Sequence, residues 1–147
     1  MDFYFVNDSQ AQRPAYLDVA KKKLKNYSDI NFKNCKAEEL PYENGSFDII
    51  NSVYLFHEVP SSIRSKIFAE ISRVLKKDGI FVLTDSLQLG DNYVLDPLLE
   101  FFPYSTHEPY FSKYIREDLA NTAQNFGLKT YYSKNAYLSK TIAFKKV

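Results

Sequence analysis

The sequence has no tryptophan, one cysteine, two histidines and only four glycines in 147 residues. The lone cysteine, Cys35, excludes an internal disulfide, and with two widely separated histidines it argues against a zinc site. A reducing compartment suits such a chain, so a cytoplasmic location is expected. No apolar run is long enough to span a bilayer, so no membrane contact is expected. The short apolar start has no basic region before it, which argues against a signal peptide. Charge of one sign is also missing. The formal net charge is +1, which provides no electrostatic footprint for nucleic acid.

What is present is ordinary for a globular domain: 45% hydrophobic and 25% charged residues. The length fits one domain, residues 1–147. Aromatics are abundant, with 12 Phe and 12 Tyr, and read as codon drift in an A/T-rich genome rather than as a binding surface.

Residues 3–6, "FYFV", read as a short strand and 7–13 as a loop. Pro14 opens a helix, "PAYLDVAKKKLKNY", since proline suits the first helical position; its basic run is a solvated face. "INFKNC" is a short strand. "FDIINSVYLF" has little alternation, which suits a parallel strand covered on both faces. The stretch from Ser61 to Gly79 carries the stripe Ile63, Ile67, Phe68, Ile71, Val74 and Leu75. Ser61 or Ser62 can cap that helix, Lys76 and Lys77 suit its C-terminal end, and Gly79 can close it. "IFVLTDSL" is a further strand. "YIREDLANTAQNFG" reads as a helix with Glu117 and Asp118 in its first turn and Gly127 as its stop. Two tightly joined antiparallel strands finish the chain. Alternating strands and amphipathic helices predict an α/β fold with a mostly parallel sheet and helices on both faces. Ligands in such sheets bind beyond the carboxyl ends of the strands. "FHEVP", "NCKAEE" and "TDSLQLGD" lie at three such ends.

His57 in "FHEVP" reads in two ways. It is a base for an acceptor, or a half-buried histidine bonded to the loop backbone. Glu58 reads as an acid at a helix N-terminus, and Pro60 as the residue fixing the turn. Asp85, at a strand end, can reach the rim or cap the next loop. His107, Glu108 and Tyr110 form a second polar-aromatic cluster, either, with Tyr104 and Phe111, a roof over an acceptor or a surface loop.

The ordered series "AEELPYENGSFDIINSVYLFHEVP…EISRVLKKDGIFVLTDS" resembles class I S-adenosylmethionine-dependent methyltransferases, over about residues 14–86. "HEVP" and the later "HEPYFSKY" resemble one subgroup. The resemblance implies a Rossmann-like fold with a reversed last strand. It also implies roles. Lys36, Ala37 and Glu38 occupy the adenine loop. Ser52, Val53 and Tyr54 flank the methionine part. His57 faces the methyl or the acceptor, with Glu58, His107, Glu108 and Tyr110 on the acceptor side. The glycine-rich loop that such enzymes place after their first strand has no counterpart, since the first glycine is Gly45. Ala11 takes the slot of the ribose-binding acid, with Asp8 nearby but out of register, and Arg13 that of a serine cap. Lys36 cannot accept a hydrogen bond from an adenine amine.

The expectation is therefore a truncated, partial methyltransferase domain. It would act on a small-molecule acceptor, weakly if at all. The alternative is a non-catalytic module that oligomerises, or completes a partner's sheet, through an exposed strand edge.

Overall fold

The computed structural model describes residues 3–5, 14–28 and 30–147, with side chains from Asp18 onward. The loop expected at 7–13, with Asp8, Ala11 and Arg13, and also Val6, lies outside the described residues. The chain divides into two compact units, Met1–Pro41 and Tyr42–Val147.

The first unit is a strand–helix–strand element. β1 (Phe3–Phe5) pairs in parallel with β2 (Ile30–Phe32), Phe3 opposite Ile30, and α1 (Pro14–Lys23) connects them. Pro14 is the first residue of α1, and Lys21, Lys22 and Lys23 lie in its last turn, where the helix dipole favours cations.

The second unit contains β3 (Phe47–Val53), α2 (Ser61–Val74), β4 (Leu75–Ser86), α3 (Asp96–Thr106), α4 (Phe111–Tyr114), α5 (Leu119–Gln124), β5 (Leu128–Ala136) and β6 (Ser139–Lys146). Its sheet order is β3-β4-β6-β5. β3 and β4 are parallel, as a helical crossover requires, and β6 runs antiparallel to both β4 and β5. The sheet is thus mixed, as expected of an α/β fold with a reversed last strand. Two residues, Tyr137 and Leu138, join β5 to β6, with Tyr137 at φ 53°.

The core lies on one face of this sheet. Phe56, Phe68, Phe81 and Phe144 are all fully buried. Phe81 stacks on Phe144 at 5.7 Å between centroids, and Phe68 meets both edge-on. Truncating one such ring typically costs about 3–5 kcal/mol. β4 shows the resulting alternation, with Phe81, Leu83 and Asp85 buried and Ile80, Val82 and Thr84 half-buried.

Three local expectations change. β3 is not covered on both faces: among the described residues it pairs with β4 alone, and Ile49 and Val53 are each 54% exposed. α2 ends at Val74 because Leu75, fully buried, turns extended (φ −68°, ψ 140°). Lys76 and Lys77 therefore do not serve its C-terminus; Lys76 pairs with Asp48 at 2.8 Å. Gly79 is no helix cap either. A Cβ there would lie 2.9 Å from the Lys76 carbonyl oxygen and 3.1 Å from that of Asp48. The cap of α2 is Pro60 (φ −67°, ψ 156°), with no side-chain bond from Ser61 or Ser62. The helix expected at 114–127 is shorter, α5 (Leu119–Gln124), and Tyr114 instead ends α4. Asp118 caps α5 by accepting from Asn121 N–H at 2.9 Å. α5 ends at Gln124 with Asn125 as its C-cap, and Gly127 (φ 75°) closes the turn that follows, donating to the Gln124 carbonyl at 3.0 Å.

Glu117 leaves the helical path to meet Arg64, a residue of α2 with no exposed surface. Arg64 Nε donates to Glu117 Oε2 at 2.8 Å. Its Nη1 donates to the carbonyls of Phe56 (3.0 Å) and Val59, and its Nη2 to Ser61 Oγ (2.9 Å). Removing one partner of a buried ion pair leaves the other charge desolvated and unpaired. Glu117→Ala should therefore lose roughly 3–5 kcal/mol in urea unfolding. A loss below about 1 kcal/mol, the range of a surface pair, would show that Arg64 does not need its carboxylate.

Candidate active site

The turn "FHEVP" follows β3 as a single 3-10 turn, Phe56–Glu58. Arg64 holds its carbonyls from one side. Asp85, the penultimate residue of β4 and 1% exposed, holds its N–H groups from the other. Asp85 Oδ2 accepts from Phe56 N–H at 2.8 Å, and Oδ1 accepts from Ser86 N–H at 2.7 Å. Oδ1 also lies 2.5 Å from His57 Nδ1. An ionised carboxylate only accepts, which places the imidazole proton on Nδ1 and turns Nε2 outward.

Nε2 faces Glu108. Glu108 Oε2 lies 3.9 Å away, buried and without a hydrogen-bond partner. Around the imidazole stand Tyr54, Phe111 and Tyr114, with ring centroids 6.2, 5.9 and 6.1 Å away. Tyr114 is fixed by donating its hydroxyl to the Ser86 carbonyl at 2.7 Å. Burial first, then the charges of Asp85 and Asp91, push its phenol far above the usual value, so it stays protonated.

Burial alone would pull the His57 pKa down. The hydrogen bond and charge of Asp85, with Glu108 and Glu58 adding, more than offset this and hold it above 6.5. Glu108 is also raised, by burial first; His57 pulls it down, and Glu58 and Asp85 push it up. The arrangement is thus an oriented, half-buried imidazole whose free nitrogen confronts a carboxylate. It can take a proton from a bound group and stabilise the charge that results.

The other sequence-derived residues fall as follows. Glu58 and His107 are exposed, and His107 ends α3 in a left-handed conformation (φ 57°). Tyr110 is half-buried as the residue before α4. Ser52, Val53 and Tyr54 end β3. Ser52 Oγ is buried without a hydrogen-bond partner, Val53 is 54% exposed, and Tyr54 takes φ 52°. Lys36, Ala37 and Glu38 form a turn in the first unit, with Lys36 exposed and Ala37 buried. Sequence reasoning missed Arg64 and Tyr114, and it treated Glu117 as a helix acid; of the two aromatics it set beside the second cluster, Phe111 lies 5.9 Å from the imidazole and Tyr104 is exposed. Among the described residues no cluster of three or more His, Cys, Asp or Glu side chains suits a metal ion. Among them, too, no helix is long and apolar enough to cross a membrane.

Comparison with known proteins bears on this site. Residues 11–83 match the family model described as a methyltransferase domain. The uncharacterized methyltransferase YcgJ of Bacillus subtilis is 43% identical over 93 residues, covering 63% of this chain and 34% of that protein. Sarcosine/dimethylglycine N-methyltransferase of Aphanothece halophytica is 36% identical over 104 residues, covering 68% of this chain and 36% of that protein. The chain spans about a third of the length of these curated relatives. Among solved structures, the PH0226 protein of Pyrococcus horikoshii matches with a TM-score of 0.73 at 17% identity, over 100% of this chain and 72% of that one, a likeness of fold. With "FHEVP" at the end of β3 and Asp85 at the end of β4 in place within this architecture, residues 11–83 carry a methyltransferase domain, and the chain is similar in sequence and fold to class I S-adenosylmethionine-dependent methyltransferases.

Proposed function

We propose that this chain carries the acceptor side of an S-adenosylmethionine-dependent methyltransferase site for a small molecule, with His57 as the base. The observation that carries the reading is the held imidazole: Asp85 on Nδ1, with Nε2 facing Glu108 Oε2 across 3.9 Å. Glu58, His107, Glu108 and Tyr110 are the proposed acceptor contacts.

The cofactor follows from the family. Its proposed contacts are Lys36, Ala37 and Glu38 for adenine, and Ser52, Val53 and Tyr54 for the methionine part. The buried, unpartnered Ser52 hydroxyl fits a ligand that brings its own polar atoms. When bound, the sulfonium supplies an already activated methyl group. The chain's task is then to orient the acceptor, exclude water and hold its proton. With no glycine before Gly45, turnover by these residues alone is proposed to be weak. The lone cysteine and balanced charge support a cytoplasmic protein that does not bind nucleic acid.

A second reading rests on β3. Its unpaired edge, among the described residues, and its exposed Ile49 and Val53 support a homo-oligomer, or a module that completes another chain's sheet.

Four measurements test these readings. Calorimetric titration with S-adenosylmethionine and its demethylated product should show binding; no heat with either at millimolar ligand would sink the enzyme reading. Light scattering should show a dimer or larger species, and a monomer at every accessible concentration would remove the second reading. NMR titration should place His57 above its ordinary 6.5, and Asp85→Asn should bring it below, because burial then prevails. The linkage has a definite sign. Because folding raises the pKa, the stability that His57 contributes is complete below about pH 6.5 and is lost as pH rises through the folded value. A His57→Gln variant should lack that step in its pH–stability curve. A step of equal size in both proteins would assign the titration to another group.

A further inference from the structure

Nε2 of a neutral His57 and Oε2 of an ionised Glu108 are both acceptors, and they face each other across 3.9 Å. That is too long for a hydrogen bond between them. A buried carboxylate oxygen without a donor is costly to leave so. One atom can reach both at the usual length of about 2.8 Å, subtending roughly 90°, if it carries two hydrogens to give. Water has two, but it is no methyl acceptor. Among groups that could take the methyl, a hydroxyl has one hydrogen and a primary or secondary ammonium two or more.

Charge points the same way. Asp85 and Glu108 flank a single imidazole, and Glu58 adds to the field at both His57 and Glu108. With His57 neutral the group is negative, and it repels a carboxylate or phosphate on the acceptor. Tyr54, Phe111 and Tyr114 place three aromatic rings around the imidazole, surroundings that tolerate a cation.

We propose that the reacting group of the acceptor is an amine. It binds as an ammonium with one N–H on Glu108 Oε2 and another on His57 Nε2. The second N–H bond then breaks: its proton forms the Nε2–H bond, and its electron pair stays on the amine nitrogen as the nucleophilic lone pair. Glu108 holds the nitrogen and offsets the imidazolium charge. This inference rests on the proposed acceptor site, and it fixes that site's substrate class.

The test uses benzylamine, benzyl alcohol and benzoate as probes of the full chain, followed through the His57 Cε1–H NMR signal. Benzylamine should shift the signal saturably and bind about tenfold or more tightly than benzyl alcohol, as expected for a hydrogen bond to a charged group. Benzoate should leave the signal in place. Glu108→Gln should weaken benzylamine by about tenfold or more, with circular dichroism confirming the fold. Equal binding of amine and alcohol, a saturable shift with benzoate, no shift with amine, or unchanged affinity in the folded variant would each overturn the proposal. If Glu108→Gln does not fold, the comparison of probes on the wild-type chain decides. Calorimetry with the demethylated cofactor separates the two claims. Cofactor binding without amine selectivity defeats the amine class and leaves the methyltransferase reading standing. Amine selectivity without cofactor binding does the reverse.

Discussion

A guanidinium with no exposed surface must spend its donors on protein partners, because it has no water to give them to. Arg64 does so on one short stretch of chain. It takes the carbonyls of Phe56 and Val59, the Ser61 hydroxyl and the Glu117 carboxylate. Asp85 takes the complementary groups, the N–H of Phe56 and the Nδ1–H of His57. The turn between β3 and α2 is therefore clamped from both sides by opposite charges that never touch each other. The clamp also links distant parts of the chain. α2, the end of β4 and the segment after α4 are all tied to the same few backbone atoms.

This explains which features were legible in the sequence. The stripe Ile67, Phe68, Ile71 and Val74 marked α2 correctly, because burial on one face enforces helical spacing. The two apolar runs marked β3 and β4. What misled was local chemistry that tertiary contacts overrode. "KKDG" carries every signal of a helix end, yet burial of Leu75 draws the chain into the sheet one turn early. Glu117 and Asp118 look like a pair of first-turn acids. Only Asp118 caps a helix, since the buried Arg64 claims Glu117. Nothing in the spacing of Arg64 and Glu117 announces that they will meet. α3 went unforeseen because its stretch carries Pro97 and Pro103, and its start has no side-chain cap.

The candidate site was legible in part for the same reason. "HEVP" and "HEPY" each contributed one residue to the facing pair, His57 and Glu108. Their sequence neighbours do not share the position. Glu58 continues a 3-10 turn into solvent, and His107 is exposed where α3 ends in a left-handed turn. Adjacent side chains on a turn point in different directions, so a dipeptide motif cannot say which member faces inward. Asp85 was visible as a strand-end acid. Its contact with His57 depends on β3 and β4 running parallel with Val53 beside Thr84, a register the sequence alone does not state.

The two halves of the facing pair are held with different firmness. His57 sits on the clamped turn, fixed through Arg64 and Asp85. Glu108 belongs to the short connection between α3 and α4. On its far side, α4 is anchored where Gln88 Nε2 donates to the Tyr114 and Glu117 carbonyls (2.8 and 2.5 Å) and the Tyr114 hydroxyl meets Ser86. On its near side α3 presents Leu98, Phe101 and Tyr104 to solvent, with only Leu99 of that helix buried. A displacement of α3 would carry Glu108 before it disturbed the imidazole. On the proposed reading, base strength is governed by β4, through Asp85, whereas the fit of the acceptor is governed by the segment between two helices. The proposed acceptor could then change by substitutions around α3 while the imidazole nitrogen stays where it is.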